Sequence, residues 1–251
     1  MIEWQDGRDN LGNLTREFRI TQAGARDITG AVWLPERADP NSRLICCGHG
    51  ASGDRYQAPI PYLANRFLQE TGSPVLSLDG PVHGRRQVGE GGRQAFFPEF
   101  QRDDALRDMT RDWHAAIAAV VALPGVGKRE LAYFGLSMGS IFGFPLIASR
   151  NDFGVAVLGL FGIQDSFPHA SEFLQAAATI SCPVLFLMQL EDELFSREGY
   201  LRAFDALGTT NKRIHANPGL HPEVPQEEID FAFEFLIGAR DRQRETAFVA
   251  S

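Results

Sequence analysis

The sequence is poor in cysteine and has no long apolar run. Three cysteines among 251 residues are too few for a disulfide framework. Cys46 and Cys47 are adjacent, so in a strand their side chains would point to opposite faces. We therefore expect a reducing compartment and a cytoplasmic location. The longest apolar stretches, 154–162 and 184–190, fall short of the ~20 residues that span a membrane, and residues 1–10 lack the apolar run of a signal peptide.

Positive charge is also scarce, with 24 Lys and Arg against 32 Asp and Glu, a net charge of −8. Because nucleic acids and anionic membranes are themselves negative, this balance argues against both as partners. No pair of histidines or cysteines has metal-ligand spacing, and the glycine-rich segment 89–92 lacks the Lys-Ser/Thr of a phosphate loop. We expect neither a metal nor a cofactor.

Strands and helices alternate along most of the chain, which predicts an α/β fold with a mostly parallel sheet and helices on both faces. The length suits a single domain over 1–251. Predicted strands are 43–47, 74–78, 130–134, 155–161, 183–190 and 212–216, and predicted helices are 56–70, 104–123, 138–150, 196–207 and 223–237. The preceding segments 14–20 and 28–34 alternate polar and apolar residues, which predicts an N-terminal antiparallel hairpin at the sheet edge.

Two segments, 83–102 and 163–181, follow strands, and we expect them to line a pocket without forming a separate lid domain. Their surroundings are rich in phenylalanines that would line an apolar acyl pocket or, as is commoner, belong to the core: Phe96, Phe97, Phe100, Phe161 and Phe167. Three arginines would meet an acidic substrate or, as is commoner, lie in solvent: Arg85, Arg86 and Arg93.

The segment 135–139, GLSMG, carries the strongest chemical signal. It follows a predicted apolar strand and opens a predicted helix, the setting in which a serine occupies a sharp turn. Such a turn forces Ser137 into a rare backbone conformation, and side chains at 135 or 139 would collide with the neighbouring strand and helix. The pattern predicts a nucleophilic Ser137; the alternative is a glycine-rich turn with an idle serine.

A serine nucleophile needs a histidine base and a carboxylate, in the chain order serine, acid, histidine. His221 lies in the loop between the last strand and the last helix, and Asp192 directly follows the preceding strand. Glu191 and Glu193 flank that aspartate, and Asp165 is the alternative acid. Five other histidines are less well placed: His49, His83, His114, His169 and His215.

The oxyanion of the reaction needs two N–H donors. We expect the backbone N–H of Met138, directly after the serine, to be one of these donors. The glycine-rich loop 48–53 after an early strand supplies the other, and Ala51 is the preferred donor there. A plain glycine turn is the alternative for this loop.

Five motifs together resemble the α/β-hydrolase family: GHGASGDR at 48–55, LDGPVHGRR at 78–86, GLSMGS at 135–140, PVLFLMQLED at 183–192 and GLHP at 219–222. The resemblance extends from about residue 28 to residue 237. ITGAVWLP at 28–35 followed by HGASG is similar to the dienelactone-hydrolase-like and peptidase-like esterase branch. The resemblance implies Ser137 as nucleophile, Asp192 as acid and His221 as base, with Ala51 and Met138 forming the oxyanion hole. It also implies a structural role for the turn that contains His83.

Two departures narrow the resemblance. Dienelactone hydrolases proper carry a cysteine nucleophile, so their substrate is not implied, and a serine at 137 argues against the aspartate-dependent dehalogenases and epoxide hydrolases. We expect a serine esterase that cleaves a small or medium carboxylic ester or lactone, its partner being that small molecule, through an acyl-enzyme. Thioester, amide or peptide cleavage, acyl transfer and perhydrolysis use the same residues and stay open. A non-catalytic ligand-binding homologue is a further alternative.

Overall fold

Nine strands form one sheet in this computed structural model, which describes the backbone of residues 1–37 and 39–249 and the side chains of 1–37 and 39–238. The spatial order is β1-β2-β3-β5-β4-β6-β7-β8-β9. The strands are β1 Ile2–Arg8, β2 Leu14–Ile20, β3 Ile28–Trp33, β4 Leu44–Gly48, β5 Val75–Leu78, β6 Leu131–Gly135, β7 Phe153–Gly159, β8 Val184–Gln189 and β9 Lys212–Asn217. The pairs β1–β2, β2–β3 and β3–β5 are antiparallel, and the remaining pairs are parallel. The predicted fold class and N-terminal hairpin are confirmed.

The helices are α1 Ile60–Arg66, α2 Gly92–Phe100, α3 Ala105–Val121, α4 Met138–Ala148, α5 Ala170–Thr179, α6 Arg197–Asp205 and α7 Gln226–Val249. Helices α1 to α6 lie in the connections between parallel strands, and α7 follows the last strand. A π-helical turn, Phe67–Thr71, continues α1, and a short 3₁₀ turn, Gly84–Arg86, follows β5. Within the described residues, none of the helices combines the length and the apolar character that crossing a bilayer requires.

The sheet separates two hydrophobic cores. Helices α2 to α6 cover one face, and α1 and α7 cover the other. Cys46 belongs to the first core and Cys47 to the second, as the pleat of a strand dictates and as the sequence predicts. Alternate residues of β7 divide in the same way, which explains why its sequence is apolar on both faces.

Four elements differ from the sequence predictions. Helix α5 lies inside the segment 163–181, which the sequence analysis treats only as a pocket-lining segment. Strand β1 was not predicted, because its polar sequence IEWQDGR is largely exposed on both faces. Helix α2 lies inside the segment 83–102, where glycines and Pro98 obscure the helical period. Helix α1 begins at Ile60 rather than near 56, because a turn closed by the Asp54 carboxylate, which accepts the Tyr56 N–H at 2.8 Å, occupies the preceding residues.

Candidate active site

Ser137 occupies the sharp turn between β6 and α4, with φ of 58° and ψ of −120°. Positive φ is costly for a non-glycine residue and persists only where the surroundings fix it. A Cβ at Gly139 would lie 2.4 Å from the Gly48 carbonyl oxygen on β4, and one at Gly135 would lie 2.8 Å from the Gly139 carbonyl oxygen. Both glycines therefore have the steric reason that the sequence predicts.

Two side chains that the sequence analysis did not identify hold this turn. The Tyr133 hydroxyl donates to the Gly139 carbonyl at 2.7 Å. The Ser140 hydroxyl oxygen accepts the Gly159 N–H at 2.8 Å and lies 2.8 Å from the Gly135 carbonyl oxygen. The turn is thereby fixed to β6 and β7 by fully buried polar groups.

The structure brings together Ser137, His221 and Asp192. The Nε2 atom of His221 lies 2.9 Å from the Ser137 Oγ, and its Nδ1 lies 2.7 Å from the Asp192 Oδ2. The side chains of His221 and Asp192 are 4% and 1% exposed. Each residue follows the carboxyl end of a strand, β6, β8 or β9, so the parallel sheet delivers all three to one edge.

The Asp192 carboxylate is closely surrounded by donors. Its Oδ1 accepts the backbone N–H groups of Leu194 at 2.7 Å and Phe195 at 3.0 Å. Its Oδ2 accepts the Tyr200 hydroxyl in addition to the His221 imidazole. Burial acts to raise the pKa of Asp192, but hydrogen bonds from His221, Tyr200 and the Leu194 backbone outweigh it and hold that pKa below its ordinary value.

The neighbouring acids have other partners. The Glu193 carboxylate accepts the backbone N–H of His221 at 2.9 Å, and the Glu191 carboxylate accepts that of Gly219. Both acids therefore hold the backbone of the loop between β9 and α7, here called the histidine loop, rather than the imidazole ring of His221. Asp165, the alternative acid, is 91% exposed and pairs with Arg202 at 2.6 Å, so the structure does not bring it to His221.

Gln189, at the end of β8, also holds the histidine loop. It is 2% exposed, and its amide donates to the Glu223 carbonyl at 2.8 Å and lies 3.3 Å from that of Pro218. The sequence analysis did not single out this glutamine, although it is the one polar residue of an otherwise apolar, fully buried strand, and that contrast is the signal that could have found it.

The two expected oxyanion donors lie at Ser137. Met138 is the first residue of α4, and Ala51 lines the cavity that contains the serine. Among the described residues, neither backbone N–H has a protein acceptor. Both groups are therefore available to a substrate oxygen.

His49 orients the Ala51 N–H. Its Nε2 accepts the Gly80 N–H at 2.8 Å, so the proton is on Nδ1, which donates to the Gly50 carbonyl at 2.8 Å. That carbonyl and the Ala51 N–H belong to one planar peptide, so fixing the first directs the second to the opposite side. Burial lowers the pKa of His49 to about 4, which keeps this arrangement neutral at physiological pH.

A cavity of about 290 Å³ opens beside Ser137 and His221. Its walls come mainly from residues 48–52, 57–60 and 222–229. Of the expected pocket segment 83–102 only Arg93 reaches this cavity, and 163–181 contributes no residue to it. The structure thus differs from the sequence prediction. The reason is that the phenylalanines near those segments mostly pack into the core under α4 and α5, as Phe96, Phe100 and Phe161 do.

The turn that contains His83 has the structural role that the resemblance implies. Asp79, fully buried, accepts hydrogen bonds from Arg55 at 2.9 Å and Thr29 at 2.6 Å. His83 contacts the Ala51 carbonyl through its Nε2 at 3.0 Å. Within the described part of the chain, no group of three or more His, Cys, Asp or Glu side chains is placed to hold a metal ion.

No protein-family model matches the sequence, and no curated protein matches it either. Solved structures do match. The zinc-bound structure of a cold-adapted esterase from an Arctic intertidal metagenomic library is 30% identical, with a TM-score of 0.74, covering 93% of this chain and 99% of that one. Two further esterases share the fold at lower identity. Acetyl xylan esterase 1 from Thermoanaerobacterium sp. is 15% identical, with a TM-score of 0.69, over 95% of this chain and 87% of that one.

The other is Est1E from Butyrivibrio proteoclasticus, which is 14% identical with a TM-score of 0.65, covering 90% of this chain and 99% of that one. These two distant matches show the fold alone, whereas the cold-adapted esterase is similar over nearly its whole length. The strand order, the turn at Ser137 and this similarity agree with one another. The chain belongs to the dienelactone-hydrolase-like esterases of the α/β-hydrolase family and is a carboxylic ester hydrolase.

Proposed function

We propose that this enzyme hydrolyses small or medium carboxylic esters or lactones through an acyl-enzyme on Ser137. The observation that carries the proposal is the continuous hydrogen-bonded chain from the Ser137 hydroxyl through His221 to Asp192, with separations of 2.9 Å and 2.7 Å. A serine hydroxyl is a weak nucleophile until a base removes its proton, and this chain supplies that base in a fixed orientation.

In the first half-reaction, the Ser137 Oγ attacks the ester carbonyl carbon as His221 Nε2 takes the hydroxyl proton. The carbonyl oxygen becomes an oxyanion that accepts hydrogen bonds from the backbone N–H groups of Ala51 and Met138. The bond to the leaving oxygen then breaks, and His221 gives its proton to that oxygen, releasing the alcohol. Asp192 stabilises the transient imidazolium and holds its tautomer.

In the second half-reaction, water replaces the alcohol. His221 removes a proton from the water as it attacks the acyl carbon, and the proton then passes to Ser137 Oγ as the carboxylic acid leaves. With a lactone, the leaving alcohol and the acyl group belong to one molecule, which opens to a hydroxy acid.

The size of the cavity supports a small or medium substrate. Its 290 Å³ lies near the lower end of the roughly 300–1,000 Å³ typical of small-molecule sites. Apolar side chains form much of its wall, among them Ile60, Leu160 and Val224. Such a wall favours a short acyl chain by removing apolar surface from water.

A fluorophosphonate probe and a series of p-nitrophenyl esters test the proposal. Ser137→Ala is expected to abolish labelling and to lower kcat by about 10³-fold or more, as the loss of a nucleophile does elsewhere. The matched control is Ser149→Ala, because the Ser149 hydroxyl also contacts a histidine, His114, at 2.8 Å, outside the cavity. That control is expected to keep full labelling and turnover.

A probe adduct on a residue other than Ser137 would contradict the proposed mechanism, as would ester turnover undiminished in Ser137→Ala. Activity that rises steeply from acetyl to long acyl chains would contradict the proposed substrate size.

A further inference from the structure

Two donors converge on one oxygen of the buried carboxylate. The Asp192 Oδ2 accepts the His221 Nδ1–H at 2.7 Å and also the hydroxyl of Tyr200. Tyr200 is fully buried on α6 and does not line the cavity beside Ser137. Its hydroxyl therefore acts on Asp192 and not on the substrate.

The local sequence fixes the phenol in this place. The Ser196 hydroxyl caps α6 by accepting the Gly199 N–H at 3.1 Å. The Gly199 carbonyl in turn accepts the Ile163 N–H at 3.0 Å, which ties the first turn of α6 to the segment after β7. A Cβ at Gly162 would lie 2.9 Å from the Gly199 carbonyl carbon, so this close approach requires glycine.

Aromatic packing holds the Tyr200 ring itself. The rings of Phe186 and Phe195 lie 6.3 and 6.2 Å from it, both nearly perpendicular. Burial raises the pKa of the Tyr200 hydroxyl far above its ordinary value, and the hydrogen bond to Asp192 raises it further. The phenol therefore stays protonated and remains a donor.

A hydrogen bond to a carboxylate withdraws part of its negative charge. With Tyr200 in place, Asp192 Oδ2 has less charge to offer the imidazolium of His221 that forms during the proposed reaction, so the attraction between the two is weaker. Other ionisable groups lie around Asp192 and His221. Glu191 and Glu193 belong to the loop after β8, and Glu223 belongs to the histidine loop after β9. His49 and Arg93 line the cavity. None of those five donates to the Asp192 carboxylate.

We propose that Tyr200 is a positioning residue that sets the basicity of His221 by sharing Asp192 Oδ2 with it. This inference rests on the proposed roles of Ser137, His221 and Asp192. It predicts a fourth side chain that tunes proton transfer between Ser137 and His221 without itself exchanging a proton, one that the motifs around the nucleophile do not reveal. Its signature is a change in the pH at which the enzyme becomes active.

The test is the pH profile of kcat/KM for a short p-nitrophenyl ester in Tyr200→Phe, which keeps the ring and removes the hydroxyl. Its acidic limb is expected to move to higher pH by about half a unit or more, because the carboxylate regains the charge that the phenol withdrew. KM is expected to stay within about twofold, because the residue does not line the cavity.

Tyr62→Phe is the matched control. The Tyr62 hydroxyl also donates to a carboxylate, that of Asp230, but between α1 and α7 and away from the cavity. Its acidic limb is expected to coincide with that of the unaltered enzyme. Tyrosine fluorinated on both sides of the hydroxyl and incorporated at 200 is a stronger donor of nearly the same shape, so the limb should move to lower pH. This variant keeps the test valid if the phenylalanine variant fails to fold.

The outcomes separate this inference from the proposed function. An acidic limb that stays in place in both a folded Tyr200→Phe and the fluorinated variant would overturn the role of Tyr200 while leaving the nucleophile intact. An enzyme whose Ser137 takes no fluorophosphonate would fail at the earlier step, whatever Tyr200 does. Opposite shifts in the two variants, with no shift in Tyr62→Phe, would support the inference.

Discussion

Among the described side chains that line the cavity beside Ser137, Arg93 alone carries a full charge, histidines apart, and none is a carboxylate. The residue lies in the first turn of α2, where the helix dipole disfavours a cation. Among the described residues it has no ion-pair partner. In a chain of net charge −8, Arg93 gives the wall of this cavity a local positive charge.

Arg93→Gln is therefore expected to weaken hydrolysis of esters whose acyl chain ends in a free carboxylate. Because the arginine is exposed, the expected loss in kcat/KM is about two- to fivefold, the size of a solvent-screened ion pair. The measurement compares p-nitrophenyl hemisuccinate with p-nitrophenyl butyrate, whose rate should not change. Arg213→Gln, at an exposed position of strand β9, removes the same charge away from the cavity and should leave both rates unaltered.

An equal loss on both esters would mean that Arg93 supports the structure of α2 rather than recognising charge. A hemisuccinate rate unchanged in Arg93→Gln would show that the arginine lies in solvent, as most surface arginines do.

Sequence position was enough to select the side chains that the structure brings together at Ser137, but not those that hold them. Ser137 and His221 occupy fixed slots after strands of an α/β sheet, so motif and order locate them. Tyr200 looks like any apolar residue of an amphipathic helix, because nothing in its neighbourhood in sequence indicates a buried carboxylate. Contacts of this kind arise only when distant segments pack together.

At the level of elements, a buried ion network joins β2 to the loops after β4 and β5. Arg55 lies between two acids, contacting Glu17 at 3.0 Å and Asp79 at 2.9 Å, and all three side chains are less than 10% exposed. Burial acts to raise the pKa of Glu17, but hydrogen bonds from Tyr56 and Arg55 and the neighbouring positive charges hold it below its usual value of 4.5.

The sign of this shift predicts acid sensitivity. A carboxylate whose pKa is lowered on folding stabilises the native state above its unfolded pKa, and that contribution is lost as the pH falls through the folded pKa. We expect the free energy of unfolding, measured by urea denaturation, to fall as the pH drops below about 4.5. Glu17→Gln is expected to cost about 2–4 kcal/mol at pH 7, since it leaves a buried arginine less compensated.

The same variant should show a shallower loss of stability between neutral and acid pH than the unaltered protein, because one titrating group is gone. Equal slopes in the two proteins would assign the acid sensitivity to other carboxylates.

Strand β1 and helix α2, which the sequence did not reveal, both lack a long apolar face. Strand β1 gains its conformation from pairing with β2 along seven residues, not from an apolar face, so its sequence has no strand period. Helix α2 is short and buries chiefly Phe96 and Phe100, one turn apart, behind a glycine-rich start. By contrast, β7 and β8 are continuous apolar runs between two helical layers, and their sequences predict them directly.

At the level of the whole molecule, the three cysteines are free and buried: Cys46 and Cys182 belong to the first core and Cys47 to the second. Burial raises the pKa of Cys182 to about 12, and it raises those of Cys46 and Cys47 as well. Because the thiolate is the reactive form and a raised pKa keeps the thiol protonated, we expect these three cysteines to be unreactive in the native protein.

Ellman's reagent is therefore expected to label none of the three thiols in the native enzyme within minutes at pH 8 and to label three in denaturant. Activity should be unaffected by the reagent under native conditions. Rapid labelling of one thiol before denaturation would contradict the burial described for that cysteine.

His221 follows β9, the strand at one edge of the sheet that the structure describes, which pairs with β8 alone, whereas β6 and β8, which precede Ser137 and Asp192, each have a neighbour on both sides. An edge strand exchanges its amide hydrogens early, and its local opening requires less free energy than that of a strand inside the sheet. Mild heating or a low urea concentration is therefore expected to abolish activity while the circular dichroism spectrum is still that of the folded protein. The activity should return on cooling or dilution. We therefore expect the temperature at which catalysis stops to depend on the detachment of β9 and not on the global unfolding of the protein.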